Sequence, residues 1–269
     1  MCQGLAAKAF IINFREIIMK FDVKHIVAAA AFVATSYANA APLTAHVGDV
    51  WNGLTATGQA TLALDLEVLG AMDQALIKLT PAGPSTPHIQ MTDGSYDSAT
   101  ITAPMVSVTF DDVSKQVLNV ATQGGLTMTT AGKKSVSSGG SLTVTDLSAD
   151  LSNNTIYATL IGANGVGTLN NFALWKFANI SGGTVIDGEG QYDNTITGLS
   201  ITPEGFTKFS QSLGLLSLGV SALRGITDYG TISSTINVVA VPEPSTYALM
   251  GLGLVGMAFT KRRKIATNR

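Results

Sequence analysis

Past residue 40 the chain holds few groups suited to acid–base or nucleophilic chemistry. Two histidines lie there, His46 and His88, and the single cysteine is Cys2. A serine triad needs a histidine held by a carboxylate, and the sequence has neither a G-x-S-x-G elbow nor an H-E-x-x-H helix. Both histidines fall in stretches that read as loops, where a solvated imidazole is the ordinary outcome. Asp65 and Glu67 are a candidate carboxylate pair, which glycoside hydrolysis would need at about 5 Å or about 6.5–9.5 Å. Their alternation with leucines reads instead as the solvated face of a strand. Asp187, Glu189, Asp193 and Asn194 cluster oxygen donors of the kind calcium takes, at a spacing unlike an EF-hand loop. Gly251, Gly253 and Gly256 match G-x-G-x-x-G. With 13 residues after Gly256, the acidic residue a dinucleotide site places about 20 positions on has no position to occupy, so these glycines read as close-packing positions of a membrane helix. No catalytic residue, metal or cofactor is assigned, and the chain reads as a non-enzyme.

Composition points the same way. Of 269 residues 46% are hydrophobic and 13% charged, with net charge −2. Charge this sparse and balanced forms no basic stripe for nucleic acid. Few aromatics and many Gly, Ser, Thr and Asn suit a β-rich exported protein with many turns.

The most informative stretch is the tail. Val241-Pro242-Glu243-Pro244 should be extended, because each proline lacks an N–H and disfavours helix in the residue before it. An uncharged run follows over 247–260, then Lys261-Arg262-Arg263-Lys264. As a helix the run measures roughly 21 Å, short of the roughly 30 Å hydrocarbon core. Length alone favours a buried or re-entrant helix. The basic cluster favours a span, since long cationic stems reach the interface and a thinned bilayer accommodates a short one.

This order of parts, over about the last 30 residues, resembles the PEP-CTERM protein-sorting signal. The resemblance implies recognition by an exosortase, a membrane-embedded cysteine protease, with cleavage near Pro-Glu-Pro. It also implies a Gram-negative host that makes exopolysaccharide or biofilm. An ordinary anchor that is never cut is the alternative.

The other end carries a second address. Lys20 and Lys24 form a basic start after Met19, 26–33 is apolar, and Ala38-Asn39-Ala40 is an A-x-A cleavage site. We read Met19 as the true start, with a long n-region from Met1 as the alternative. The expected partners are the Sec machinery and signal peptidase. A mature chain from Ala41 has no cysteine, so no disulfide supports it in an oxidising compartment. The expected parts are therefore 1–40 signal, 41–240 exported domain and 241–269 sorting tail.

Within 41–240 the reading is mainly β, an antiparallel sandwich or barrel-like domain with one short helix. Residues 41–60 read as a loose entry, and 61–69 alternate as a half-buried strand. Residues 73–79 read as a helical turn or a strand, and 81–96 as a proline-rich loop. Strands are expected from Pro104 to Phe110, over 116–121, 126–128 and 142–147, and over 155–161 after a turn at Ser152–Asn154. Another is expected over 170–180 with Trp175 and Phe177 at the core, and a last one holds Ile232, Ile236 and Val238. The helix begins at Thr202, a capping residue, with Pro203 and Glu204 in its first turn and Gly214 at its end.

Residues 140–240 are also similar, in strand-and-helix order, to HtaA-type haem-carrier domains, through 142–147, 155–160 and 197–209. That resemblance implies a β-rich surface module with a tyrosine axial ligand; Tyr157 and Tyr192 are the tyrosines near the match before the helix. Three functions stay open: a surface or matrix protein acting by display or by adhesion to polysaccharide, a haem or calcium module, and a carbohydrate-active enzyme.

Overall fold

Alternating apolar and hydroxyl-bearing side chains carry most of residues 41–240 into strands. The computed structural model describes residues 41–242, 247–255 and 257. Fourteen strands form one hydrogen-bonded sheet, and every pairing is antiparallel.

One half of the sheet runs β11 (Asn179–Gly182), β12 (Gly190–Thr197), β14 (Gly230–Ala240), β2 (Leu54–Leu64), then the first part of β5 (Ser95–Asp111), with β4 (Thr86–Thr92) on its far side. The other half starts from the later part of β5, which pairs β1 (Pro42–His46) and β6 (Val117–Thr122). It continues through β8 (Gly140–Asp150), β9 (Thr155–Gly162), β10 (Gly167–Lys176) and β13 (Ser200–Ile201). On β8 sits β7 (Gly125–Thr130), which carries β3 (Ile77–Ala82). The two halves pack on each other: Leu62, Ile101, Ile196 and Ile232 from the first share one core with Leu126, Val144, Ile156, Leu160 and Leu174 from the second. The expected sandwich is therefore a single sheet bent along β5.

Pro104 marks the bend. Residues 100–104 of β5 pair with β2, and 105–110 pair with β6 across a register shift between Met105 and Ser107. Proline offers no N–H to a ladder and is tolerated at such irregularities. A strand beginning at Pro104 was expected; β5 runs through that residue instead, because the proline sits where the strand exchanges partners.

The other prolines behave alike. The expected loop over 81–96 is mostly strand: Pro81 lies in β3 and Pro87 in β4, each paired on one side only. A missing N–H costs nothing on an open edge. The loose entry over 41–60 is also structured. It contains β1, and the start of β2 follows a tight turn in which Asn52 (φ 50°) and Gly53 (φ 76°) are both left-handed. An Asn-Gly pair favours that turn.

The strand expected over 61–69 ends at Leu64. Asp65 takes extended backbone and its Oδ1 accepts the Glu67 N–H at 2.8 Å, capping helix α1 (Leu66–Gln74). Leu66, expected inward, is 67% exposed, while Val68 and Leu69 are fully buried. One orphan N–H satisfied by a carboxylate thus overrides a run of alternating leucines. Residues 73–79 hold both expected alternatives in turn, the end of α1 and the start of β3.

Three helices lie within 41–242 where one was expected. Besides α1 there are α2 (Pro203–Ser212) and α3 (Ser217–Arg224). Helix α2 starts as read: the Thr202 hydroxyl accepts from Gly205 N at 2.9 Å, Pro203 opens the first turn, and Gly214 follows with φ 58°. The expected hairpin at Ser152–Asn154 joins β8 to β9. The strand expected over 170–180 is divided between β10 and β11, and Trp175 and Phe177 are buried in the main core. The second core cluster joins Ala45, Met105, Val108, Phe110, Ile236 and Val238, with Trp51 against Phe110 at 5.7 Å between ring centroids.

Burial of about 1.5–3 kcal/mol for each large apolar side chain carries the stability, because the only ion pair among the described residues is exposed, Lys115–Asp112 at 3.0 Å. Burial also pushes the Tyr229 phenol from its ordinary 10.0 up to about 12.

Two outcomes follow from these contacts. Asp65→Ala removes the cap of α1 and should cost about 1 kcal/mol in urea unfolding at pH 7. The Tyr229 phenol stays protonated in the fold while the unfolded chain ionises. Its contribution is complete below about pH 10 and is lost as pH rises to about 12, a fall of about 2 kcal/mol. Tyr229→Phe should abolish that component of the pH dependence, measured by urea unfolding at pH 8 and at pH 11.5.

Candidate functional site

The sequence motif with the clearest chemistry begins where the last strand ends. β14 lies between β12 and β2, and its ladder with β2 runs from Gly230–Leu64 to Ala240–Leu54. The Val241 N–H adds one more bond to the Gly53 carbonyl at 2.7 Å. Pro242 has no N–H to continue, so pairing stops at the first proline of the motif. No free linker therefore separates the domain from Val241.

Residues 247–255 are helical, as is 257. Tyr247, Leu249, Met250, Leu252, Leu254, Val255 and Met257 are between 52 and 69% exposed. These positions surround the helix, and a Cβ built at Gly251 or Gly253 meets nothing within 4 Å. A helix that is apolar all round belongs in an apolar medium. Seven Cα steps join Ala240 to Tyr247, a reach of at most about 25 Å. No helix among the described residues is long and apolar enough by itself to cross a membrane. Gly251 and Gly253 lie inside helical residues, not in a strand-to-helix turn, which removes the dinucleotide reading.

Several expected site residues lie outside the described residues: Cys2, Met19, Lys20, Lys24, the 26–33 segment, Ala38 and Ala40 at one end, and Glu243, Pro244, Gly256, Lys261, Arg262, Arg263 and Lys264 at the other.

The remaining candidates do not converge. His46 ends β1 and His88 lies in β4, so neither is in a loop. Among the described residues no carboxylate bonds either imidazole; His88 Nε2 lies 3.3 Å from Gln90 Nε2. Asp65 and Glu67 share no strand face, since Asp65 is committed to capping α1.

The acidic stretch is split by the alternation of β12. Asp193 points outward, where the Thr235 hydroxyl at 2.6 Å and the Gln191 amide at 2.8 Å hold its carboxyl below the usual range. Asn194 points inward and is buried, accepting from Ser234 Oγ at 2.7 Å. Tyr192 Oη lies 2.9 Å from Asp187 Oδ1, and burial followed by that carboxylate raises the phenol. No group of three or more His, Cys, Asp or Glu side chains gathers at metal-binding distance among the described residues. Of the two tyrosines, Tyr157 faces outward on β9 and accepts from Asn153 Nδ2 at 3.2 Å, whereas Tyr192 shares the inward face of β12 with Asn194.

Comparison with known proteins identifies the tail. The family model for the PEP-CTERM protein-sorting motif matches residues 240–264, from the last residue of β14 to the end of the basic cluster. No curated protein and no solved structure matches the chain, and the similarity to haem-carrier domains finds no support. The motif implies export and processing by an exosortase at the cell envelope.

The absence of a linker has a measurable consequence. A protease cutting near Pro-Glu-Pro, as the resemblance implies, would bind its substrate extended and unpaired, so the Val241–Gly53 and Ala240–Leu54 pairings would have to open first. Inserting six Gly-Ser residues between Ala240 and Val241 should leave the melting temperature unchanged and raise the processing rate severalfold, followed by pulse-chase and immunoblot in a host with an exosortase.

Proposed function

We propose that this chain, whose residues 240–264 form a PEP-CTERM sorting motif, is a non-enzymatic surface or extracellular-matrix protein of a Gram-negative bacterium. Sec export with signal peptidase cleavage after Ala40 precedes a membrane intermediate held by 247–260 and stopped by Lys261–Lys264. Exosortase cleavage near Pro242–Pro244 then releases the β domain to the surface, where it associates with exopolysaccharide in the biofilm matrix.

The observation that carries this reading is the order of parts at the C-terminus. A central strand leads without a linker into the motif, and an all-round apolar helix follows. The outer face of the first half of the sheet supports the polysaccharide part. Register places Ser181, Thr195, Ser233, Thr61, Thr102 and Thr86 in one transverse row across six strands. Strands about 4.8 Å apart make this an uncharged hydroxyl array, suited to hydrogen bonding along a neutral polysaccharide. Its members also brace one another, as in the 2.8 Å Thr61–Thr102 contact.

Intact mass of the protein recovered from its host, in cell-associated and medium fractions, tests the reading. The expected species begins at Ala41 and ends between Pro242 and Ser245. A product that retains Arg269 in every fraction would make the chain a permanent anchor and remove the basis for a matrix role.

A further inference from the structure

Asn-Gly occurs twice in residues 41–242, at Asn52-Gly53 and at Asn164-Gly165. Asparagine is a thermolabile residue, and a following glycine exposes it most. With no side chain in the way, the glycine nitrogen reaches the asparagine amide carbon and closes a five-membered ring. The fold sets both pairs in the same backbone. Each residue is left-handed, with φ 50° and 76° at the first pair and 54° and 82° at the second, and all four are exposed.

The two side chains differ. Asn164 Nδ2 donates to the carbonyls of Gly139 at 3.0 Å and Ser212 at 3.1 Å, which ties its amide to the end of α2. Asn52 makes no side-chain hydrogen bond among the described residues, and a Cβ built at Gly53 would meet nothing within 4 Å. One amide is pinned; the other is free to swing over the next peptide, which is open to water. The free pair also holds a particular place. Its turn is closed by the Trp51–Leu54 backbone bonds at 2.9 and 2.8 Å, and the Gly53 carbonyl accepts the Val241 N–H at 2.7 Å. That is the last ladder bond before Pro242.

We propose that Asn52 is a site of spontaneous conversion to isoaspartate, and that this change undoes the bond holding Val241. The Gly53 nitrogen, its proton lost to water or hydroxide, attacks Asn52 Cγ, and the side-chain nitrogen leaves as ammonia. One water then opens the succinimide. Breaking the bond from the ring nitrogen to the main-chain carbonyl leaves isoaspartate; breaking the bond on the side-chain side leaves aspartate. The net reaction consumes one water, releases one ammonia and puts a carboxylate where a neutral amide stood. In isoaspartate Cβ joins the main chain, so the two-residue turn gains a backbone atom. The closure that suits Asn-Gly no longer fits, and the Gly53 carbonyl moves off Val241. Neither step depends on how the tail is processed.

The full-length protein, in a non-ionic detergent, is aged at pH 8 and 37 °C. Peptide mapping by mass follows both asparagines, electron-transfer fragmentation separates isoaspartate from aspartate, and hydrogen exchange is read on the peptide that holds Val241. Asn52 should convert about tenfold faster than Asn164, equivalent to about 1.4 kcal/mol of barrier, with isoaspartate the main product. In urea the two should convert at similar rates. Exchange at Val241 should quicken severalfold as isoaspartate accumulates. Asn52→Gly keeps a turn of the same kind and should age without that change. Fresh Asn52→Asp has the charge without the extra backbone atom and should exchange like unaged wild type. Equal rates at the two sites in the folded protein, or an Asn52 that stays intact while the urea-unfolded chain converts, would overturn the modification site. Conversion with unchanged exchange at Val241 would overturn its effect on the motif.

Discussion

The pairing of β14 with β2 is the constraint on which the rest of the structure depends. It joins residues 230–240 to residues 54–64, so the last strand of the domain closes on its first long one. Its inward side chains reach both core clusters, Ile232 in the larger and Ile236 with Val238 in the smaller. With no cysteine past Cys2, no covalent link replaces that ladder. Because the sorting motif over 240–264 begins at the last residue of β14, the bonds that complete the domain adjoin the motif. Folding of the exported domain and accessibility of the tail are therefore coupled through a few backbone hydrogen bonds.

The surface around this core makes little use of ion pairs, with Lys115–Asp112 the one pair among the described residues. Hydroxyl pairs such as Thr44–Thr109 and Thr127–Thr143, each at 2.8 Å, span neighbouring strands, and such cross-strand pairs stabilise a sheet modestly without ion pairs. Carboxylates are used locally, Asp65 as a helix cap and Asp111 in the turn at Val113–Ser114.

Much of the strand pattern was legible because its signals are local. The Ser152–Asn154 turn, the inward Ile232, Ile236 and Val238, and the Thr202–Pro203 start of α2 each rest on residues a few positions apart. The misreadings arose where a local pattern had two physical solutions. Leucines at 62, 64 and 66 alternate like a strand, yet Asp65 caps a helix and turns Leu66 to solvent. Prolines at 81 and 87 read as loop breakers, yet they lie on open sheet edges where no donor is required. His46 and His88 moved from loops to strands for the same reason, and the acidic stretch at 187–194 lost its cluster to the alternation of β12.

The amino-acid sequence by itself determined the address of this protein, its β-rich class and the start of α2, since each depends on composition or on a short run of residues. Proline chemistry, an apolar run and a basic cluster retain their meaning in any fold. The tertiary structure alone decided that β5 passes from one half of the sheet to the other at Pro104, and that the motif leaves the domain without a linker. These features rest on pairing and packing between residues far apart in the chain. The free energy that selects such contacts comes from burying both partners together, and neither partner signals it alone.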